Sequence, residues 1–151
     1  MIPISRSGRE DAKAILDLQK LAYQSEAQFY NDFTIPPLVQ TLEHLEAEYQ
    51  THVILKTVMN GVIIGSVRAY DENGTCHIGR LIVHPAHQNK GIGRQLMSRI
   101  EEEFGHCMRF ELFTGSKSTK NIAYYRKLGY QIFRYERLND SVEFAFLEKN
   151  R

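Results

Sequence analysis

Leu81-Ile82-Val83-His84-Pro85-Ala86-His87-Gln88-Asn89-Lys90-Gly91-Ile92-Gly93 reads as a strand that runs out at Pro85, followed by a glycine-containing turn that opens a helix. Backbone amides at a helix start lack intrahelical partners, and the helix dipole adds positive potential there, so such a turn can hold an anion. Gly91 and Gly93 remove side chains where a backbone must come close to a phosphate. Lys90 and Arg94 add charge beside them. The same glycines would equally serve a plain strand–turn–helix connection, and the residues alone leave both readings open. Two familiar phosphate motifs fail on spacing. The Lys-Ser/Thr end of a P-loop is missing, and Leu96 stands where a dinucleotide fingerprint needs its third glycine.

The chain on either side of this turn supplies the fold class. Upstream, His52 to Val58 and Val62 to Tyr70 are rich in β-branched residues, and Asn60-Gly61 between them predicts a tight hairpin. Asn73-Gly74 predicts a second one, leading into a strand from Thr75 to Val83. Before these strands, Ile2 to Ser5 suits a short strand, and Ser7 with Glu10 has capping-box spacing for a helix carrying Ile15, Leu18, Leu21 and Ala22. An aromatic loop (Phe29, Tyr30, Phe33) closes at Pro36-Pro37, and Leu38, Leu42, Leu45 and Tyr49 mark a second helix. Downstream, a helix from Gly91 shows Ile92, Leu96 and Ile100 on one face. A strand from Met108 to Phe113, a helix from Ser118 to Leu128 and a hairpin from Tyr130 to Leu147 follow. This order predicts an α+β fold, a mixed and mostly antiparallel central sheet flanked by helices.

At 151 residues the chain fits one domain, taken as residues 1–151, with enough length to bury its own core. The 42% hydrophobic and 25% charged composition is that of a folded globular chain rather than a disordered one. A net charge of +1 gives no reason to expect nucleic acid or an anionic membrane as partner. No apolar run is long enough to span a bilayer and no signal-peptide layout is visible, so a cytoplasmic location is expected. Cys76 and Cys107 are too few and too widely separated in sequence for a disulfide framework or a zinc site, and both are expected in the core. His84 and His87 flank the turn without a third ligand, so no metal is expected.

Val83-His84-Pro85 followed by Gln88-x-x-Gly91-x-Gly93 resembles the core motif of the GNAT superfamily of acyl-CoA N-acyltransferases, and the strand–helix order matches that family along nearly the whole chain. The resemblance implies acetyl-CoA as co-substrate. It places Gln88, Asn89, Lys90, Gly91, Ile92 and Gly93 on the CoA pyrophosphate, and the backbone of Ile82 and Val83 on the pantetheine arm. A second stretch, Asn121-Ile122-Ala123-Tyr124-Tyr125-Arg126-Lys127-Leu128-Gly129-Tyr130, resembles the family's other hallmark. By position Tyr125 matches the tyrosine that many members use as general acid, and either Ser118 or Asn121 stands for the Asn/Ser of the helix start, with Asn121 preferred.

The chemistry fits a phenol in that position. An amine attacks the thioester directly and a CoA thiolate leaves, so a nearby donor lowers the cost of departure. No acyl-enzyme is needed, and neither cysteine is assigned as nucleophile. Glu111, within the strand after the cofactor helix, is the candidate base. It is equally a structural partner for Arg68 or Arg80, and a water chain is a third route. Charges inside apolar strands are costly unless they pair or face a cleft. The carboxylates of Glu26 and Asp32, among the aromatics Tyr23, Phe29 and Tyr30, could meet a cationic amine. The expected partners are acetyl-CoA and a primary-amine acceptor, with a homodimer as the candidate assembly. A catalytically inactive CoA-binding sensor is the alternative, and a nucleic-acid-binding domain is disfavoured by the lack of a basic, aromatic-studded strand face.

Overall fold

The computed structural model describes residues 2–151. Seven strands form one sheet in the order β1 (Ile4–Arg6), β2 (Val53–Met59), β3 (Val62–Glu72), β4 (Thr75–Val83), β5 (Arg109–Gly115), β7 (Glu143–Asn150) and β6 (Gln131–Arg137). Every neighbouring pair is antiparallel except β4 with β5. The two Asn-Gly hairpins form as expected: Asn60 and Gly61 have φ of 52° and 79°, Asn73 and Gly74 of 53° and 81°. Two successive left-handed residues give the turn whose twist matches the flanking strands.

Helices cover both faces. On one face α5 (Ile92–Glu103) packs Ile92, Leu96, Met97 and Ile100 onto Leu55, Val67, Ala69, Cys76 and Ile78. On the other, α1 (Ala12–Ala22) and α4 (Leu42–Glu48) pack Ile15, Leu18 and Leu45 onto Ile54 and Ile82. Adjacent residues Ile54 and Leu55 thus serve opposite cores, as strand alternation requires. Cys76 and Cys107 are both buried free thiols, pushed up by burial, which suits core residues and not nucleophiles.

Three local expectations are corrected. The aromatic loop is mostly helical: α2 runs Gln24–Tyr30 and ends at Asn31, whose φ of 51° gives a left-handed stop. The second helix is split into α3 (Pro36–Val39) and α4, because Gln40 is extended and Thr41 caps α4 by accepting from the His44 amide at 3.1 Å. The first cap is shifted by one residue. The Asp11 carboxylate, not Glu10, accepts from the Gly8 amide at 3.0 Å, while Lys56 holds it from β2 at 2.7 Å.

Strands β4 and β5 pair over only three rungs, Thr75 with Arg109, Cys76 with Phe110 and His77 with Glu111. Beyond them the strands part. The separation coincides with a bulge in β4, where the register against β3 slips between Ser66 and Arg68 and Arg80 adopts φ 51°. The extra residue shifts the alternation: Cys76 and Ile78 face α5 before it, Leu81 and Val83 after it, while Ile82 turns to α1.

Candidate functional site

The gap between β4 and β5 opens into a cleft of about 980 Å³, large enough for a nucleotide-sized ligand. Ile82 and Val83 line it at the end of β4, and Gln88, Asn89, Gly91, Ile92 and Gly93 continue it into α5. Lys90 is exposed and stands off this lining, whereas Arg94 is on it. In the turn itself Asn89 and Gly91 have φ of 63° and 80°. The first amide from Gln88 onward to find a backbone acceptor is that of Gln95, on the Gly91 carbonyl at 3.1 Å. The turn therefore offers a run of free N–H groups at a helix start, facing a cleft, which is a fit for phosphate oxygens. Gln88 bonds back through its Nε2 to the Val83 carbonyl at 3.3 Å, tying the turn to the strand end.

Gly93 has a second reason to be glycine. A Cβ there would lie 2.8 Å from the Tyr124 hydroxyl, so the missing side chain leaves room for that phenol. The tandem tyrosines of α6 (Thr119–Lys127) thus divide: Tyr124 sits over the turn, while Tyr125 packs against the core beside Tyr130, ring centroids 6.2 Å apart, and still lines the cleft. Burial, with smaller contributions from Tyr23, Tyr124 and Glu26, pushes the Tyr125 phenol well above its ordinary value. It is a neutral O–H donor at any physiological pH.

Asn121 lies on the cleft wall, but its amide donates to Glu26 Oε1 at 3.1 Å and to Thr114 Oγ1 at 3.3 Å. Ser118 Oγ donates to the same Glu26 at 2.8 Å. The two residues weighed for one cofactor contact therefore act together, strapping α2 to the start of α6. Tyr30 adds a further strap: its hydroxyl accepts from the Lys117 amide at 3.0 Å, and its ring occupies the space above Gly115. Glu26 is spent on these bonds, and Asp32 caps Thr34 at 2.8 Å away from the cleft lining.

Glu111 is on the opposite sheet face from Tyr125, in a smaller cavity of about 420 Å³ that shares Ile78, Gly79, Arg80, Leu112 and Phe113 with the main cleft. Its partner is neither Arg68 nor Arg80. Arg109, two residues along the same strand face, donates to Glu111 Oε1 at 2.7 Å, and His77 Nδ1 lies 3.8 Å from Oε2. His77 in turn stacks on Tyr70 at 4.9 Å. Arg68 is buried among Glu48, Gln19 and Gln40. Sequence reasoning missed Tyr124, the straps on Glu26 and the smaller cavity. The signal available for Tyr124 was only its place beside Tyr125.

Known proteins resemble this chain in sequence and in fold. A family model described as Acetyltransferase (GNAT) family matches residues 13–130. The L-methionine sulfoximine/L-methionine sulfone acetyltransferase of Salmonella typhimurium is 27% identical over 131 residues, spanning 82% of this chain and 77% of the relative. The L-amino acid N-acyltransferase MnaT of Escherichia coli is 25% identical, spanning 82% of this chain and 76% of the relative. Among solved structures, the PaiA N-acetyltransferase of Thermoplasma acidophilum in complex with coenzyme A superposes with a TM-score of 0.79 at 16% identity, covering 100% of this chain and 99% of that one.

Proposed function

Since the chain belongs to the GNAT acetyltransferase family, we propose that it transfers an acetyl group from acetyl-CoA to a primary amine by direct attack, as one domain over residues 1–151. The observation that carries this is the cleft that joins the free-amide turn at Gln88–Gly93 to the parted strands and to Tyr125. Acetyl-CoA supplies the activated acyl group. The turn amides and Arg94 take its phosphates, and the freed edge of Ile82 and Val83 takes the pantetheine chain. At the gap the amine nitrogen forms its bond to the carbonyl carbon, the carbon–sulfur bond breaks, and the sulfur is protonated from Tyr125. The proton lost by the amine leaves on the face lined by His77 and Glu111, to water or to that carboxylate. Names of the two curated relatives direct the first acceptors toward amino acids and their sulfone or sulfoximine analogues.

Acetyl-CoA binding to the native state is expected to raise the melting temperature. At a hundredfold excess over Kd the stabilisation is about 2.7 kcal/mol, or roughly 5–10 °C for a chain this size. A thermal scan with saturating acetyl-CoA, paired with thiol release over an amine panel, tests the reading. No shift and no thiol from any amine would sink it.

A second expectation concerns the turn. Gly91 sits at φ 80° with open space around it, so Gly91→Val strains the backbone by about 1–2 kcal/mol besides blocking phosphate approach. Gly91→Asn tolerates the left-handed backbone and isolates the second effect. Calorimetric titration should show weakened CoA binding in both, with the melting temperature lowered mainly in the Val variant. Parental CoA affinity in Gly91→Asn would remove the close phosphate approach.

A further inference from the structure

Of the charges set into the inner strands, Arg68 has Glu48 as partner and Glu111 has Arg109. Arg80 has none. Among the described residues no carboxylate pairs with it, and its Nε is buried without a hydrogen-bond partner. The residue as a whole is half-buried, so the cost falls on that one unpaired N–H, and a charged fork with no carboxylate on it is open to an anion. The backbone adds to that cost, because a φ of 51° is unfavourable for a long L side chain. Two local costs at one residue need an explanation beyond packing.

Its position gives one. Arg80 occupies the bulge at which β4 leaves β5, and it lines both the main cleft and the smaller cavity across the gap. It stands beside the Tyr23 phenol, and its charge is felt at Arg68. The one nearby cleft carboxylate, Glu26, is held by Ser118 and Asn121. The phosphate-binding turn begins only after β4 has ended at Val83, so the phosphates of CoA belong at the far end of the cleft.

We infer that Arg80 seats a carboxylate of the acceptor, and that the acceptor class is a carboxylate-bearing primary amine, of which a free α-amino acid is the simplest. This rests on the acetyltransferase reading above. The planar fork of an arginine matches a carboxylate with two parallel hydrogen bonds. In an α-amino acid the amine and the carboxylate share one carbon. Seating the anion at the bulge therefore holds the nitrogen at the gap where β4 and β5 part. An amine lacking the carboxylate leaves the guanidinium, with its buried Nε, unpaired, and such a site discriminates against it.

The test compares matched pairs: methionine with 3-methylthiopropylamine, leucine with 3-methylbutylamine, and phenylalanine with phenethylamine. Thiol release gives kcat/KM for each member in the parent, in Arg80→Met and in Arg80→Lys. The corresponding N-acetyl products are titrated by NMR in the presence of CoA, a readout independent of turnover. The parent is expected to favour at least one amino acid over its amine by about 30-fold or more, with the preference collapsing in Arg80→Met and partly kept in Arg80→Lys. Arg80→Met should melt no lower than the parent, since it removes a buried N–H without an acceptor and a charge without a carboxylate partner; if it does not fold, Arg80→Lys carries the comparison. Absence of a carboxylate preference in the parent overturns the proposal, as does its survival in Arg80→Met. A loss of acetyl-CoA affinity equal to the loss of acceptor affinity also overturns it, by making Arg80 a CoA residue. If no amine releases thiol, the acetyltransferase reading fails by itself, and the N-acetyl product titration still decides the carboxylate seat.

Discussion

Tyr125→Phe is expected to lower turnover by about 10²-fold while leaving acetyl-CoA affinity nearly unchanged. The ring packs against the core beside Tyr130, so the Phe variant keeps that packing and loses only the hydroxyl. If the hydroxyl acts on the departing sulfur, the loss belongs to the transition state, and kcat and kcat/KM fall together. The magnitude should stay near the low end for a general acid. Burial pushes this phenol up, which keeps it protonated but makes it a reluctant donor. The pH profile supplies a second readout. Because the folded value is raised, the donor form persists through the ordinary phenol range near ~10, and activity in the parent should not fall with Tyr125 ionisation below that pH. The linkage has the same sign. Stability from the protonated phenol is fully present below the unfolded value and is lost as pH rises through the folded one. Steady-state kinetics with the best acceptor and acetyl-CoA titration of both proteins check this. Full activity in Tyr125→Phe would leave solvent as the proton donor. A loss of acetyl-CoA affinity matching the loss of activity would make Tyr125 an anchor.

The sequence was readable wherever a local rule had a single solution. Asn60-Gly61 and Asn73-Gly74 could only be tight turns, because two consecutive positive φ values exclude most other residues. The Gln88–Gly93 turn was legible for a similar reason, with glycine at its φ 80° position. Legibility failed where distant contacts decide. Helix α2 buries only Ala27 and Tyr30, too short a pattern to show a helical period, and its stability comes from straps to Lys117, Ser118 and Asn121. Ser7-x-x-Glu10 and Gly8-x-x-Asp11 have the same spacing, and Lys56, far along the chain, favours the second. The bulge at Arg80 left no trace, since Gly79 to Val83 reads as an unbroken strand. Glu111 pairs with Arg109 and with neither Arg68 nor Arg80, because strand periodicity puts Arg109 on its own face, nearer than either inner arginine.

Arg68→Met should produce the largest loss of stability, about 3–5 kcal/mol, or roughly 6–20 °C in melting temperature. Arg68 is 3% exposed and Gln19 is fully buried, so water cannot replace the bonds that the substitution removes. From β3 the guanidinium donates to Gln19 Oε1 of α1 at 3.0 Å and to Gln40 Oε1 at 2.9 Å, and it pairs with Glu48 of α4 at 3.4 Å. Gln19 Nε2 donates onward to the Pro37 carbonyl of α3 at 2.8 Å. One side chain thus ties three helices to the sheet, on the face where α1 leads into α2 and the cleft. Met keeps much of the volume, so the loss comes from groups left unpaired and not from a cavity. Glu48 then carries most of the cost, as a largely buried charge whose remaining neighbours are Gln40 and two histidines. The cost should therefore be recoverable. Glu48→Gln is expected to destabilise the parent, yet to cost less, or even restore stability, in the Arg68→Met background. Thermal unfolding of the four proteins closes that cycle. Additive losses would show that Arg68 and Glu48 act independently, and an unchanged melting temperature in Arg68→Met would show that the network does not hold these helices in place.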